Sequence, residues 1–441
     1  MKSSGSAASS SSLTVRHFGL LPVLLISLCL LAFGLRIFRL DFQPIWFDED
    51  LAYQRATVAL DVSLASMAGS PLYYILLRGW ADLAGSSLYV LRFFSALCGT
   101  LAIPLIYQVM RRLLGRNIAL ATMALATFAP FYIYYSQEAR TYSLTLVLML
   151  ISMHTFLKWQ DTRGRQALVV CTLANLICLY THYVAALVIV VQSVILLLLH
   201  WRDWKRIGVF IAAQTVAVLA LMPWLIRVQQ VLPRVIAPPD STTVDAWSIL
   251  ARTWTEFSIG RTIPPPASLY LATVPLFLAI VGLVTLLTTQ VNTPSPISPE
   301  RKTARRSTPS SSTVTQHTLI PRKTRIILLV WLIIPIIGTL LIPRASVRFS
   351  PKYLIAITPV FYMLLIVGLQ ALRRESRALL IIGLALLIGV WVGALSDYYL
   401  RQHDKLAQST VPSVEMWGEG RLIETNAAVL YSIHSSINET T

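Results

Sequence analysis

Long apolar runs separated by short polar stretches occupy most of this chain. Most of the runs approach the roughly 20 residues that an α-helix needs to cross a bilayer. The pattern therefore predicts an all-α, polytopic helical membrane protein. About eleven spans are expected, at Phe18–Leu35, Leu88–Met110, Ile118–Tyr135, Tyr142–Phe156, Ala167–Leu179, Val184–His200, Ile207–Ile226, Leu269–Leu287, Ile326–Ile342, Tyr353–Leu372 and Leu379–Leu395.

The polar stretches between these spans define the expected organisation of the chain. We expect a disordered cytoplasmic N-terminus at 1–17, one transmembrane domain at 18–395 and a short extracytoplasmic tail at 396–441. The domain is expected to contain three long connecting segments: an extracytoplasmic loop at 41–87, a second one at 229–266 and a disordered cytoplasmic linker at 290–325.

Both extracytoplasmic loops are expected to contain helices that do not cross the membrane. In the first loop, Pro71–Ala84 has the amphipathic pattern of a helix that lies on the membrane surface. In the second, a short helix is expected around Val244–Phe257. The spans themselves look mostly free of polar side chains, and the polar clusters lie at their ends.

The composition supports a membrane protein and explains the charge. The chain is 55% hydrophobic and 13% charged, with a mean hydropathy of +0.65, too little polar surface for a soluble protein of this size. The net charge is +17. With the N-terminus in the cytoplasm, the segments on that side hold 21 Lys and Arg against four Asp and Glu, and the rest holds 16 of each. The excess reports membrane topology, and no nucleic-acid partner is expected.

Three adjacent carboxylates, Asp48, Glu49 and Asp50, follow the first span directly after Trp46 and Phe47. Carboxylates at a membrane face repel one another and are costly to place there. Their clustering indicates a site rather than an ordinary loop. Asp48 is the first candidate for chemistry.

Further polar residues reach the same predicted face from distant parts of the chain. They are Glu138 and Arg140 after the third span, His182 and Tyr183 in a tight hairpin, and Arg348 and Lys352 between the ninth and tenth spans. Each has a structural alternative, such as a local ion pair or a side chain that snorkels to lipid phosphates. Together, acids, a histidine and several cations at the headgroup level suggest a site for an anionic, lipid-linked substrate.

Several short motifs occur in an order that resembles a known family. They are the Asp48-Glu49 pair, Ser70–Tyr74, Gln137–Tyr142, Thr181–Tyr183 and Arg348–Leu354. This pattern resembles the GT-C membrane glycosyltransferases, and within them bacterial proteins similar to protein O-mannosyltransferases and the aminoarabinose transferases of lipid A. The similarity extends from the first span to the eleventh. The Asp-Glu loop and the Gln-Glu-Ala-Arg turn are its most specific parts.

The resemblance implies transfer of a sugar, with inversion, from a polyprenyl-phosphate-linked donor to an extracytoplasmic acceptor. It also implies a multi-pass protein of the bacterial plasma membrane, with a glycan, a lipid or a protein as the acceptor. Asp48 is the expected general base, with its pKa raised by a neighbouring acid. The other expected site residues are Glu49 and Glu138 for catalysis, Arg140, Arg348 and Lys352 for the donor phosphate, and Trp46, His182 and Tyr183 for the sugar or acceptor.

Relatives commonly carry a His or Lys and two prolines where this chain has Gly69-Ser70-Pro71. If that cation contacts the donor phosphate in relatives, this protein needs another cation or another donor. No cofactor is required by the sequence, although Asp48, Glu49 and Glu138 offer the oxygen ligands that a divalent cation prefers. Two alternatives stay open: a lipid or glycolipid transporter, and a membrane protein derived from a transferase without catalytic activity.

Overall fold

Helices form all the regular secondary structure in the part of the chain that the computed structural model describes, which is residues 19–58, 60, 71–235, 246–288, 320–341 and 350–403. Two 3₁₀ helices, Tyr183–Ala185 and Pro351–Ile357, accompany the α-helices. The α-helices are α1 (Leu20–Ile37), α2 (Phe47–Thr57), α3 (Pro71–Ala84), α4 (Leu88–Leu114), α5 (Arg116–Phe128), α6 (Pro130–Ser136), α7 (Tyr142–Thr162), α8 (Arg165–Thr181), α9 (Ala186–His200), α10 (Trp204–Val235), α11 (Ala246–Ile259), α12 (Ala267–Thr288), α13 (Arg322–Leu341), α14 (Thr358–Glu375) and α15 (Arg377–Leu400).

Among the described residues, nine helical segments are long and apolar enough to cross a membrane. The all-α membrane fold is confirmed, but the count of eleven spans is not. The predicted third span is a bent pair, α5 and α6, with 57° between them. Pro130 begins α6 and cannot donate a backbone hydrogen bond, so the helix breaks there. The predicted fifth span is α8, which has only 17 residues.

Several helices continue past the ends of the apolar runs that predicted them. Helix α10 continues to Val235, α13 begins at Arg322 and α15 ends at Leu400. Polar residues are compatible with a helix at the membrane surface, so hydropathy alone makes these three helices too short. Helix α3 has the bounds predicted for it and buries Tyr73, Leu77 and Ala81 on one face. In the second predicted loop, the helix is α11.

Two glycines allow α12 and α14 to pack closely. A β-carbon added at Gly282 would overlap the backbone oxygen of Leu364, and one added at Gly368 would overlap that of Leu278. Small residues at such contacts let helix backbones approach in a membrane, where dispersion forces rather than the hydrophobic effect drive packing. Helix α14 is accordingly almost wholly buried at the centre of the bundle.

A group of polar side chains inside the helical bundle is an exception to the expectation of mostly apolar spans. Asn175 of α8 donates to Gln192 of α9 at 2.9 Å and to Gln214 of α10 at 2.8 Å. Gln192 donates to Ser152 of α7 at 2.6 Å, and Ser152 is hydrogen-bonded to Asn175. These bonds tie four helices together and satisfy the polar groups within the protein.

Candidate active site

The three adjacent carboxylates point in different directions because they lie in the first turn of α2, where successive side chains are about 100° apart. Oδ2 of Asp48 contacts Arg140 and Lys352. Glu49 binds Arg92, and Asp50 accepts a hydrogen bond from Gln54 at 2.8 Å. Each carboxylate therefore has its own partner, and the expected repulsion is relieved. The acidic first turn also suits the positive end of the helix dipole.

Asp48 lies between two cations from distant parts of the chain. Its Oδ2 is 3.1 Å from Nη2 of Arg140 and 3.2 Å from Nζ of Lys352. Burial alone would raise the pKa of the Asp48 carboxyl, but the charges of Arg140, Lys352 and Arg261 outweigh burial and hold the pKa below its ordinary value. The expectation of a raised pKa is therefore wrong, because the nearest charges are cations rather than the other acids.

Glu49 forms a buried ion pair that the sequence did not reveal. Its two carboxylate oxygens accept hydrogen bonds from Arg92 of α4 at 2.8 and 2.7 Å, and both side chains are almost fully buried. Arg92 also donates to the backbone oxygens of Leu40 and Gln43. The pair joins the start of α2 to α4 and fixes the direction in which the neighbouring Asp48 points.

The Gln-Glu-Ala-Arg turn is held in place by hydrogen bonds at both ends. The amide of Gln137 donates to the backbone oxygens of Arg36 and Phe38, at 3.0 and 2.9 Å, at the end of α1. The backbone N–H of Ala139 donates to Glu49 at 3.0 Å, and Nη1 of Arg140 donates to the backbone oxygen of Asp48 at 2.8 Å. The two most specific motifs of the sequence therefore bind each other directly.

Glu138 of this turn lies within electrostatic range of Arg261, one of the cations that act on Asp48. The Glu138 side chain is fully buried and is hydrogen-bonded to the Tyr134 hydroxyl. Within the described residues, no three acidic, histidine or cysteine side chains lie close enough together to hold a metal ion. Asp48, Glu49 and Glu138 therefore do not form the possible metal site, because Arg140 and Lys352 hold Asp48 and Arg92 holds Glu49.

Aromatic rings surround the cation beside Asp48. Nζ of Lys352 is 4.9 Å from the centre of the Trp46 ring and 5.0 Å from that of Tyr142. Arg261 also lies over the Trp46 ring, with its guanidinium carbon 5.7 Å from the ring centre. Neither Arg261 nor Arg92 was predicted as a site residue, because a lone arginine in a loop or a span carries no local pattern. Arg261 was detectable only as a further cation on the predicted site face.

His182 lies next to this cluster and forms no ion pair with any residue that the structure describes. Nδ1 of its ring accepts a hydrogen bond from the backbone N–H of Val184 at 3.2 Å, which leaves the proton on Nε2. Its ring packs against those of Tyr142, Tyr183 and Tyr353. Burial, together with the charges of Arg140 and Lys352, lowers the pKa of His182 to about 3, so the imidazole is neutral at physiological pH.

The structure thus brings together Asp48, Arg140, Lys352, Trp46 and His182, with Tyr183 at the edge, where it is 52% exposed. Arg348 and the Gly69-Ser70 departure lie outside the described residues.

Known proteins share part of the sequence pattern and the fold of this chain. The family model described as dolichyl-phosphate-mannose-protein mannosyltransferase matches residues 68–226, which include α3 and the Gln-Glu-Ala-Arg turn. No curated protein sequence matches the chain significantly.

Three solved structures share the fold at low sequence identity. ArnT from Cupriavidus metallidurans bound to undecaprenyl phosphate is 17% identical, with a TM-score of 0.56, over 84% of this chain and 63% of that one. The apo form of the same protein is 16% identical, with a TM-score of 0.59, over 88% and 67%. The Archaeoglobus fulgidus oligosaccharyltransferase in complex with Zn and sulfate is 14% identical, with a TM-score of 0.52, over 85% and 52%.

This chain is a multi-pass membrane protein with the GT-C fold, and the resemblance to GT-C membrane glycosyltransferases that its motifs indicated is confirmed. It spans between about half and two thirds of the length of the solved proteins above.

Proposed function

We propose that this protein is an integral membrane glycosyltransferase that moves a sugar from a polyprenyl-phosphate-linked donor to an extracytoplasmic acceptor. One observation carries the proposal: the Asp48 carboxylate lies 3.1 and 3.2 Å from two cations at the end of a membrane helical bundle. Such a site offers an anion to receive a proton and cations to receive a phosphate. Undecaprenyl phosphate bound to the related ArnT fold supports the choice of donor class.

The proposed reaction is a single displacement with inversion. The acceptor hydroxyl oxygen forms a bond to the anomeric carbon of the sugar, and the bond between that carbon and the phosphate oxygen breaks. The electron pair leaves with the phosphate, and the hydroxyl proton goes to Asp48 as the general base. A correctly placed base of this kind contributes typically about 10²–10⁴ in rate.

The lowered pKa of Asp48 has a place in this scheme. Without the donor, Arg140 and Lys352 neutralise Asp48 and keep it ionised. A bound donor phosphate would compete for the same two cations and draw positive charge away from the carboxylate. Asp48 would then become a stronger base at the moment when the leaving group needs the cations.

The remaining candidate residues take roles that match their positions. Arg140 and Lys352, together with Arg348 as the sequence suggests, are proposed to bind the donor phosphate, with the planar guanidinium suited to two of its oxygens. Trp46, His182 and Tyr183 are proposed to bind the sugar or acceptor, since a neutral imidazole with its proton on Nε2 can donate to a hydroxyl. We reassign Glu49 and Glu138 from catalysis to positioning, because each is buried against protein groups.

The location follows from the lipid nature of the donor. A substrate anchored in the bilayer reaches a site at the end of a helical bundle without leaving the membrane. The basic residues of the sequence favour placing the Asp48 end outside the cytoplasm. We therefore propose the extracytoplasmic face of a bacterial plasma membrane.

The test is sugar transfer by the purified full-length protein, reconstituted in lipid, from a panel of radiolabelled polyprenyl-phosphate sugars. Asp48→Asn is expected to lose at least about 100-fold in turnover while it still binds the donor. Asp50→Asn is the matched control, since this neighbouring carboxylate on the same helix bonds only Gln54 among the described residues. Equal activity of Asp48→Asn and the control would overturn the assignment of Asp48. If the wild type moves labelled lipid between leaflets but transfers no sugar, the transporter alternative replaces the enzyme.

A further inference from the structure

A cavity of about 660 Å³ lies between α1, α4 and α7, at the end of the bundle opposite Asp48. Helix α4 contributes residues to the candidate active site and to this cavity. Arg92 binds Glu49 near the start of α4, whereas Arg111 lines the cavity near its end. The two arginines are 19 residues apart, or roughly 28 Å along the helix axis. The cavity is therefore distinct from the candidate active site.

The lining of this cavity changes from charged to apolar with depth. Arg111, Arg112 and Lys158 are exposed and lie near the ends of α4 and α7, at the end of the cavity that we call its mouth. Leu25 of α1 and Pro104 of α4 lie deeper, Pro104 about two helical turns from Arg111. A phospholipid has the same order of groups, with a charged headgroup above the glycerol and the acyl chains.

Two buried polar atoms of the lining have no protein partner. Tyr107 is only 4% exposed, and within the described residues its hydroxyl makes no hydrogen bond. His154, one turn from Lys158 on α7, is half-buried, but its Nδ1 is inaccessible and makes no hydrogen bond with any described residue. Buried polar groups usually have hydrogen-bond partners. Two such groups without a partner in one cavity therefore indicate a ligand that can form hydrogen bonds through its oxygen atoms.

The charge of the lining selects an anion. The one acidic residue among the lining residues, Asp161, is already paired, at 2.9 Å from Nζ of Lys323 and 3.6 Å from Nε of Arg112. Arg111 and Lys158 form no ion pair with any described residue. Two cations are therefore left over at the mouth of the cavity.

We propose that this cavity binds an anionic membrane phospholipid, with its phosphate against Arg111 and Lys158 and an oxygen of its headgroup or glycerol accepting a hydrogen bond from Tyr107. Its acyl chains would leave past Leu25 and Pro104 into the bilayer. Basic pockets between membrane helices bind anionic lipid headgroups in this way. The proposal does not depend on the glycosyltransferase function.

The test measures lipid binding to the purified full-length protein by native mass spectrometry, with phosphatidylglycerol as the probe. Phosphatidylcholine with the same acyl chains is the comparison, because its headgroup has no net charge. The double variant Arg111→Gln/Lys158→Gln is expected to bind phosphatidylglycerol about 25-fold more weakly, from about fivefold for each cation. The matched control is Arg373→Gln/Arg374→Gln, two exposed cations at the end of α14 that do not line the cavity.

Tyr107→Phe provides a second variant that removes one oxygen atom and keeps the ring. It is expected to weaken phosphatidylglycerol binding about fivefold with an unchanged unfolding temperature, and it decides the matter if the double variant fails to fold. Equal binding of the two lipids, an equal loss in the Arg373 and Arg374 control, or unchanged binding to Tyr107→Phe would overturn the proposal. Competition by soluble glycerol phosphate as strong as by the lipid would show a site for free phosphate instead.

Discussion

Nζ of Lys352 lies 3.2 Å from Oδ2 of Asp48, although the two residues are 304 positions apart in the chain. Arg140 reaches the same oxygen from a third segment, at 3.1 Å. One carboxylate therefore connects α2, the Gln-Glu-Ala-Arg turn and the 3₁₀ helix before α14. The charge balance at this oxygen sets the ionisation of Asp48 and, in the proposed mechanism, the binding of the anionic donor.

The pH dependence of activity should reveal the two cations beside Asp48. Because they lower its pKa, Asp48 stays ionised until the pH falls below the ordinary carboxyl value near 4. We expect kcat/KM for sugar transfer to stay constant on the acid side until that pH and to fall only below it. Lys352→Met should move the limb to higher pH as well as lower the activity. An acid limb at the same pH in Lys352→Met and the wild type would contradict the role of this ion pair.

The buried pair of Glu49 and Arg92 should matter for stability more than any other ion pair near the site. Glu49→Gln leaves the Arg92 charge buried without a counter-charge, and breaking a buried pair in this way costs about 3–5 kcal/mol. Denaturant or thermal unfolding in detergent measures the loss. Asp50→Asn, one residue further along α2 and partly exposed, should change stability by less than about 0.5 kcal/mol. Similar losses in both variants would refute the special role of Glu49.

His182 should make folding sensitive to acid without acting as a proton-transfer group near neutral pH. Its pKa is about 3 in the folded protein and about 6.5 when unfolded, so between these values the unfolded chain binds one more proton. The stability of the wild type should therefore fall as the pH drops from about 6.5 towards 3.

His182→Asn should reduce this pH dependence of unfolding. Asparagine is a suitable replacement because its side-chain oxygen can still accept the hydrogen bond from the Val184 backbone N–H. The shape of the activity profile between pH 5 and 8 should not change. A step near pH 6.5 in the wild-type activity that disappears in His182→Asn would show instead that His182 titrates there.

The close contact of α12 and α14 should not tolerate a methyl group. In Gly368→Ala the new β-carbon would overlap the backbone oxygen of Leu278, so the two helices would have to separate, at a cost of at least about 1–3 kcal/mol. Gly389→Ala on α15 is the control, because its β-carbon would have no neighbour within 4 Å and alanine favours the helix. Thermal unfolding of the two variants side by side tests this. A Gly368→Ala protein as stable as Gly389→Ala would contradict the observed packing.

Hydropathy was sufficient for the all-helical membrane fold of this protein, although not for the number of spans, because the bilayer forces each span to be long, apolar and helical. The bounds of Pro71–Ala84 also followed from the sequence, since the amphipathic pattern covers those residues. The break at Pro130 and the ends of α10 and α13 did not follow, because they depend on backbone hydrogen bonds rather than on hydropathy.

The sequence by itself determined that this chain is a helical membrane protein and that carboxylates, cations and a histidine collect at the ends of its spans. Local composition is enough to predict the membrane class and the position of the polar residues, because the cost of burying charge in lipid restricts where polar residues occur. Only the tertiary structure decided that Asp48 pairs with Arg140 and Lys352 while Glu49 pairs with Arg92. Adjacent carboxylates on one helix turn look equivalent in sequence, and packing of distant helices makes one of them accessible and buries the other.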